Sequence, residues 1–198
     1  PELRIQVLRS GVTRVDAVLY THHHADHVQG IDDLRSFSQL QHAPVPLYGP
    51  AATIEHLRTS FNYIFDPSVV PPSGTSKPAL TLHVLQPDRP TRIAGVDVTP
   101  IAFDHGSLTV YGYRVGPLAY VTDAKRVAGT ALELLRGTRV LVLNALWWRP
   151  HPTHLSIDEA IAAARAVGAE RTILTHLTHE TGHACTDGSD KKARFASA

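Results

Sequence analysis

Val15-Asp16-Ala17-Val18-Leu19-Tyr20-Thr21-His22-His23-His24-Ala25-Asp26-His27 runs from a short apolar segment straight into a cluster of imidazoles and a carboxylate. Residues 15–20 are apolar and β-rich and read as a buried strand. Beyond them, Ile31, Leu34 and Phe37 recur at helical spacing, which predicts a helix over 28–37. The polar cluster therefore sits on a loop that leaves a strand and enters a helix. Alternation puts His22, His24 and Asp26 on one side and His27 opens the helix, so six residues offer four metal ligands. The chain holds 13 histidines, and four of them lie at positions 22–27. That concentration points to metal chemistry rather than to composition.

Outward from the cluster the pattern stays α/β. Leu3, Ile5, Val7 and Leu8 ahead of Gly11 predict a short helix closed by a glycine cap. A strand is expected over 45–48 and a helix over 51–61, with Ile54, Leu57 and Phe61 on one face. Residues 66–78 (DPSVVPPSGTSKP) read as a long surface loop, because their prolines suit no regular element. Four strand-like runs follow, 80–85, 96–103, 108–115 and 118–122, and are expected to form a meander of adjacent strands. A helix is expected over 127–136 and a strand over 140–143. A helix over 156–167 follows, with Ser156 and Glu159 as its capping box and Gly168 at its end. A last strand is expected over 171–174. Nothing marks an internal linker, so 1–184 reads as one domain, and 185–198, which lacks periodic apolar residues, reads as a disordered tail.

Composition narrows the partners. At 198 residues with 43% hydrophobic and 19% charged side chains, the chain can build a core, and a net charge of +1 creates no long-range field for a polyanion. Nucleic acid is therefore an unfavoured partner. Cys185 stands alone, which excludes an intrachain disulfide and fits a reducing, cytoplasmic location. No apolar run approaches the roughly 20 residues that span a bilayer, so no membrane partner is expected. The chain opens at Pro1 and contains no Met, and reads as a fragment that lacks an N-terminal segment.

Thr21-His22-His23-His24-Ala25-Asp26-His27 matches the HxHxDH signature of the metallo-β-lactamase-fold hydrolases, and the rest of the chain resembles that family. Phe103-Asp104-His105-Gly106 closes a predicted strand, Tyr120-Val121-Thr122-Asp123 ends another, and Leu174-Thr175-His176 ends the last. The resemblance implies an αββα sandwich, with a first sheet that lacks strands here. It further implies two divalent ions, zinc or manganese. His22, His24 and His105 would hold one, Asp26, His27 and His176 the other, and Asp123 would bridge them.

The stretch His151-Pro152-Thr153-His154-Leu155-Ser156, with Leu174-Thr175-His176-Leu177-Thr178-His179, resembles one branch, the phosphoribosyl cyclic phosphate phosphodiesterases. That branch implies a small anionic phosphodiester substrate and admits a homodimer. It makes His154 and Asp26 the catalytic residues, His154 as the acid for the leaving group and a metal-bridging hydroxide as the nucleophile. The same ligands would serve hydrolysis of a lactone or thioester, or tRNA 3′ processing, which the balanced charge disfavours. His179 and His183, one and two turns beyond His176 if helical, are candidates for a substrate phosphate. His23 reads as a supporting or exposed group. His42, His56 and His83 carry no motif, and Trp147 and Trp148 read as core and rim.

Overall fold

A computed structural model describes residues 2–179. The tail expected to be disordered over 185–198, and His183, lie outside the described residues. The chain divides into two compact units, Pro1–Asp97 and Val98–Ala198.

The first unit is a three-stranded parallel sheet with its crossover helices. Helix α1 (Leu3–Ser10) ends on Gly11 in the left-handed conformation, as its sequence predicts. Strand β1 (Val18–Leu19) pairs with β2 (Val45–Gly49), which pairs with β3 (Leu80–Val84) from Val45↔Leu80 to Gly49↔Val84. Strand β1 is shorter than the apolar run 15–20 because the Gln41 side chain takes both backbone groups of Val15, at 2.7 and 3.0 Å.

The helix expected over 28–37 is broken into α2 (Ala25–Val28), a 3₁₀ turn over Gln29–Asp33, and α3 (Leu34–Gln41). Gly30 lies in that turn, where a Cβ would stand 2.9 Å from the Leu3 Cβ, so the break lets α1 approach. Helices α4 (Ala51–Ser60) and α5 (Asn62–Phe65) follow β2. Ile31, Leu34, Phe37, Ile54, Leu57 and Ile64 close the core over Val45 and Leu47. The proline loop is pinned by Lys77, whose ammonium donates to the carbonyls of Asp66 and Val69 at 2.7 and 3.0 Å.

One strand expectation is corrected here. Residues 80–85 do not join the meander; β3 belongs to the first sheet, parallel to β2. Parallel partners are distant in sequence and share no turn, so no local signal announces the pairing.

Strand β4 (Thr91–Ile93), not anticipated from the sequence, is followed by β5 (Val96–His105), β6 (Leu108–Val115), β7 (Leu118–Val121), β8 (Val140–Asn144) and β9 (Arg171–Thr175). These six form one sheet in chain order. The turn between β4 and β5 uses Ala94 and Gly95, both at positive φ (47° and 83°), the twist that a tight hairpin requires. Strands β5, β6 and β7 are the antiparallel meander, whereas β7, β8 and β9 run parallel.

Helices α6 (Gly129–Leu135) and α7 (Ile157–Val167) supply the crossovers. Leu135, Ile157, Ala160, Ala163 and Val167 pack on Ile101, Phe103, Val121, Leu141 and Leu143. The predicted capping box is present: the Glu159 amide donates to Ser156 Oγ at 3.3 Å and the Ser156 amide to Glu159 Oε2 at 2.7 Å. Three parallel strands thus end side by side, and Asp123, Asn144 and His176 lie at their carboxyl ends, the usual place for a site in such a sheet. No helix among the described residues is long and apolar enough to cross a membrane.

Candidate metal centre

In the first unit the turn from β1 into α2 gathers the histidine cluster. His24 precedes α2 with extended backbone, and the His27 amide closes a turn on its carbonyl at 2.9 Å. His22 is buried, and its Nδ1 lies 3.1 Å from Thr21 Oγ1. Its Nε2 faces His24 Nδ1 at 3.0 Å, and its ring lies 4.2 Å from that of His27. Two imidazole nitrogens at that separation must share a proton or a cation. Asp26 is exposed in the first turn of α2, with Oδ2 at 3.2 Å from His27 Nε2. His23 turns away and stacks on His56 with centroids 4.8 Å apart. Burial first, then the neighbouring His56 and His24, holds its pKa below the ordinary histidine value.

In the second unit the centre of the arrangement is Asp123, the residue after β7 by two positions, only 2% exposed and at φ 58°. Its Oδ1 accepts from Thr122 Oγ1 at 2.6 Å and lies 3.3 Å from His176 Nε2. Its Oδ2 lies 3.2 Å from His154 Nε2 and 3.9 Å from His105 Nε2. A carboxylate this deeply buried requires positive partners, and three imidazoles converge on it. His105 directs Nδ1 to the Thr153 carbonyl at 3.0 Å, which leaves Nε2 for the site, the orientation seen in metal-bound imidazoles. Asp123, His154 and His176 bring their ligand atoms within 4.8 Å of one another.

His176, like Asp123, sits at positive φ, 59°. Left-handed backbone costs about 1–2 kcal/mol for a side chain other than glycine, and two of the five such residues among the described ones are candidate ligands.

His154 has a second set of partners. Its Nδ1 lies 2.9 Å from Thr153 Oγ1 and 3.1 Å from His151 Nδ1. Burial first, then His154 and Lys125, lowers the His151 pKa. The Thr153 amide donates to His151 Nδ1 at 3.4 Å, so that nitrogen accepts and faces His154 as an acceptor. Lys125 reaches Glu159 at 2.8 Å and ties this loop to the start of α7. Burial works to raise the Glu159 carboxyl, but the bonds from Lys125 and Ser156 outweigh it and hold its pKa low.

The expected ligands therefore gather within each unit: His22, His24, Asp26 and His27 in the first, His105, Asp123 and His176, with His154, in the second. His179 lies exposed on a turn, and residues 176–179 are not helical, so the helical condition set for its placement is not met there. Trp147 and Trp148 lie past the end of β8, half-buried and exposed. The sequence reading missed Thr122, Asn144 and His151. Only His151 carried a signal, three positions before His154 in the quoted stretch.

A family model described as "Beta-lactamase superfamily domain" matches residues 1–177. An octanoyltransferase of Porphyromonas gingivalis (strain ATCC BAA-308 / W83) is 37% identical over 180 residues, which are 90% of this chain and 35% of that protein. A hydroxyacylglutathione hydrolase of Xanthomonas campestris pv. campestris (strain B100) is 31% identical over 145 residues, 70% of this chain and 43% of that protein. The chain thus spans less than half the length of these curated relatives. The crystal structure of a new diphosphatase from the PhnP family matches with a TM-score of 0.80 and 35% identity, covering 90% of this chain and 66% of that one.

Proposed function

The chain belongs to the beta-lactamase superfamily and has its metallo-β-lactamase α/β fold, and on that premise we propose that it is a phosphodiesterase for a small cyclic phosphate ester. Hydrolase chemistry at a divalent metal follows from the membership. The donor set fits such an ion: imidazoles and carboxylates without thiolate suit zinc or manganese. His22, His24, Asp26 and His27 in the first unit, and His105, Asp123 and His176 in the second, are the residues that would hold such ions. When bound, the ions supply Lewis acidity toward a phosphoryl oxygen and an activated water.

The observation that carries the phosphodiester reading is His154. It stands 3.2 Å from the buried carboxylate of Asp123 and is backed on its other nitrogen by His151 at 3.1 Å. That arrangement orients the ring and presents a proton at Nε2 to a departing alkoxide. A cyclic phosphate needs such an acid because its leaving group is a poor one. A divalent ion held mostly by neutral imidazoles keeps net positive charge, which favours an anionic ester. The likeness to the diphosphatase supports a phosphoryl substrate. The balanced charge and lone Cys185 support a small molecule met in a reducing compartment rather than nucleic acid.

The likeness to hydroxyacylglutathione hydrolase favours a second reading, hydrolysis of a thioester. The deciding experiment compares manganese-loaded protein on a five-membered ribosyl cyclic phosphate and on an acylglutathione, with Asp123→Asn as the blank. Turnover of the cyclic phosphate well above the blank is the expected result. Turnover of the thioester alone would replace the phosphodiesterase reading with the second one.

A further inference from the structure

We infer that Asn144 is the positioning residue that holds Asp123 and the His154 loop in register, an inference that rests on the metal-dependent reading above. Asn144 ends β8 and is fully buried. Its Oδ1 accepts from the Ala124 amide at 2.9 Å and its Nδ2 donates to the Ala124 carbonyl at 3.1 Å. One primary amide therefore grips both polar groups of the residue that follows Asp123.

The need for that grip lies in the sheet. The β7–β8 register ends at Val121↔Leu143, so residues 122–124 have no strand ladder to hold them. At this point Asp123 takes φ 58° and turns the chain away from the sheet. The Asn144 side chain extends the hydrogen bonding beyond the last ladder pair. The Ala124 carbonyl also accepts from the Leu155 amide at 3.0 Å, so the same residue anchors the position after His154. On the other side the Asn144 backbone is in register with Thr175, directly before His176, and the Ala145 amide donates to the Thr175 carbonyl at 2.9 Å. Asn144 thus stands between the two left-handed residues.

Leucine would leave the Ala124 amide without its acceptor, and aspartate would turn a carboxylate oxygen toward the Ala124 carbonyl.

The test uses the full chain carrying Asn144→Leu, with Leu141→Ala as the control. Leu141 is fully buried in the same strand, and its apolar side chain makes none of these hydrogen bonds. Manganese and zinc affinities are measured by chelator competition at a temperature where circular dichroism shows each variant folded. The amide exchange of Ala124 is followed by NMR in metal-free protein. Both variants are expected to melt earlier, but only Asn144→Leu loses about 10–100-fold in metal affinity and protection at the Ala124 amide. If Asn144→Leu does not fold, Asn144→Asp, which keeps the acceptor for the Ala124 amide and loses the donor, carries the same affinity test. Wild-type affinity in a folded Asn144 variant, or an equal loss in Leu141→Ala, would overturn the inference. If wild-type protein takes up no metal, the reading of the site fails, and the Ala124 exchange still decides whether Asn144 holds the turn.

Discussion

At Asp123 the backbone and the side chain make separate demands. The left-handed conformation at φ 58° tolerates asparagine nearly as well as aspartate, whereas alanine meets the full steric cost. In metal-free protein Asp123→Asn is therefore expected to fold and melt close to wild type, and on loading it should lose bound metal and nearly all turnover. Asp123→Ala is expected to lose both and about 1 kcal/mol of stability as well. Metal content by atomic emission and denaturant melts of both variants check this, and a folded Asp123→Asn with full metal and rate would remove Asp123 from the ligand set. His154→Ala is expected to keep its metal and to slow hydrolysis about 10²–10⁴-fold for an alkoxide leaving group. With a nitrophenolate leaving group, which needs no proton, the slowing should be far smaller, and equal slowing would exclude the acid role.

Among the elements, α7 carries the clearest local stability signal. Its capping box satisfies an amide at each end of the first turn, so Ser156→Ala should cost about 1 kcal/mol in a denaturant melt and leave metal content unchanged. In the meander, Gly112 on β6 has no room for a side chain. A Cβ there would stand 2.7 Å from Phe103 Cε2 and 3.0 Å from the Tyr120 carbonyl oxygen. The carbonyl belongs to the sheet and cannot retreat, so Gly112→Ala should destabilise by about 1–3 kcal/mol, and a neutral result would mean that β6 and β7 can part without cost.

For the molecule as a whole, histidine titration sets the response to acid. His23 and His151 both have lowered pKa values, each chiefly through burial. The unfolded chain protonates near the ordinary histidine value of about 6.5, while the folded chain resists until lower pH. Their contribution is therefore complete above about pH 6.5 and declines as pH falls toward the folded-state values. Metal-free protein should lose stability between pH 7 and 5, and His151→Asn should flatten that slope. Added zinc or manganese should raise the melting temperature, by about 2.7 kcal/mol of stability at a hundredfold excess over Kd. A melt indifferent to both ions would contradict metal binding by the folded state.

The apolar strand that leads into the polar turn at His22 to His27 and the capped helix after His154 were legible from residues a few positions apart, through side-chain alternation and helical spacing. His105, Asp123 and His176 became candidates only through the resemblance of their strand-end motifs to the family's. Tertiary structure alone decided that β3 pairs in parallel with β2 and that Gly30 breaks a helix so that Leu3 can approach. It also decided that Asn144 grips Ala124 and that His151 backs His154. Parallel pairing and buried amide contacts join segments without a common turn, and a single asparagine at the end of an apolar run looks the same whether or not it grips a backbone twenty residues away.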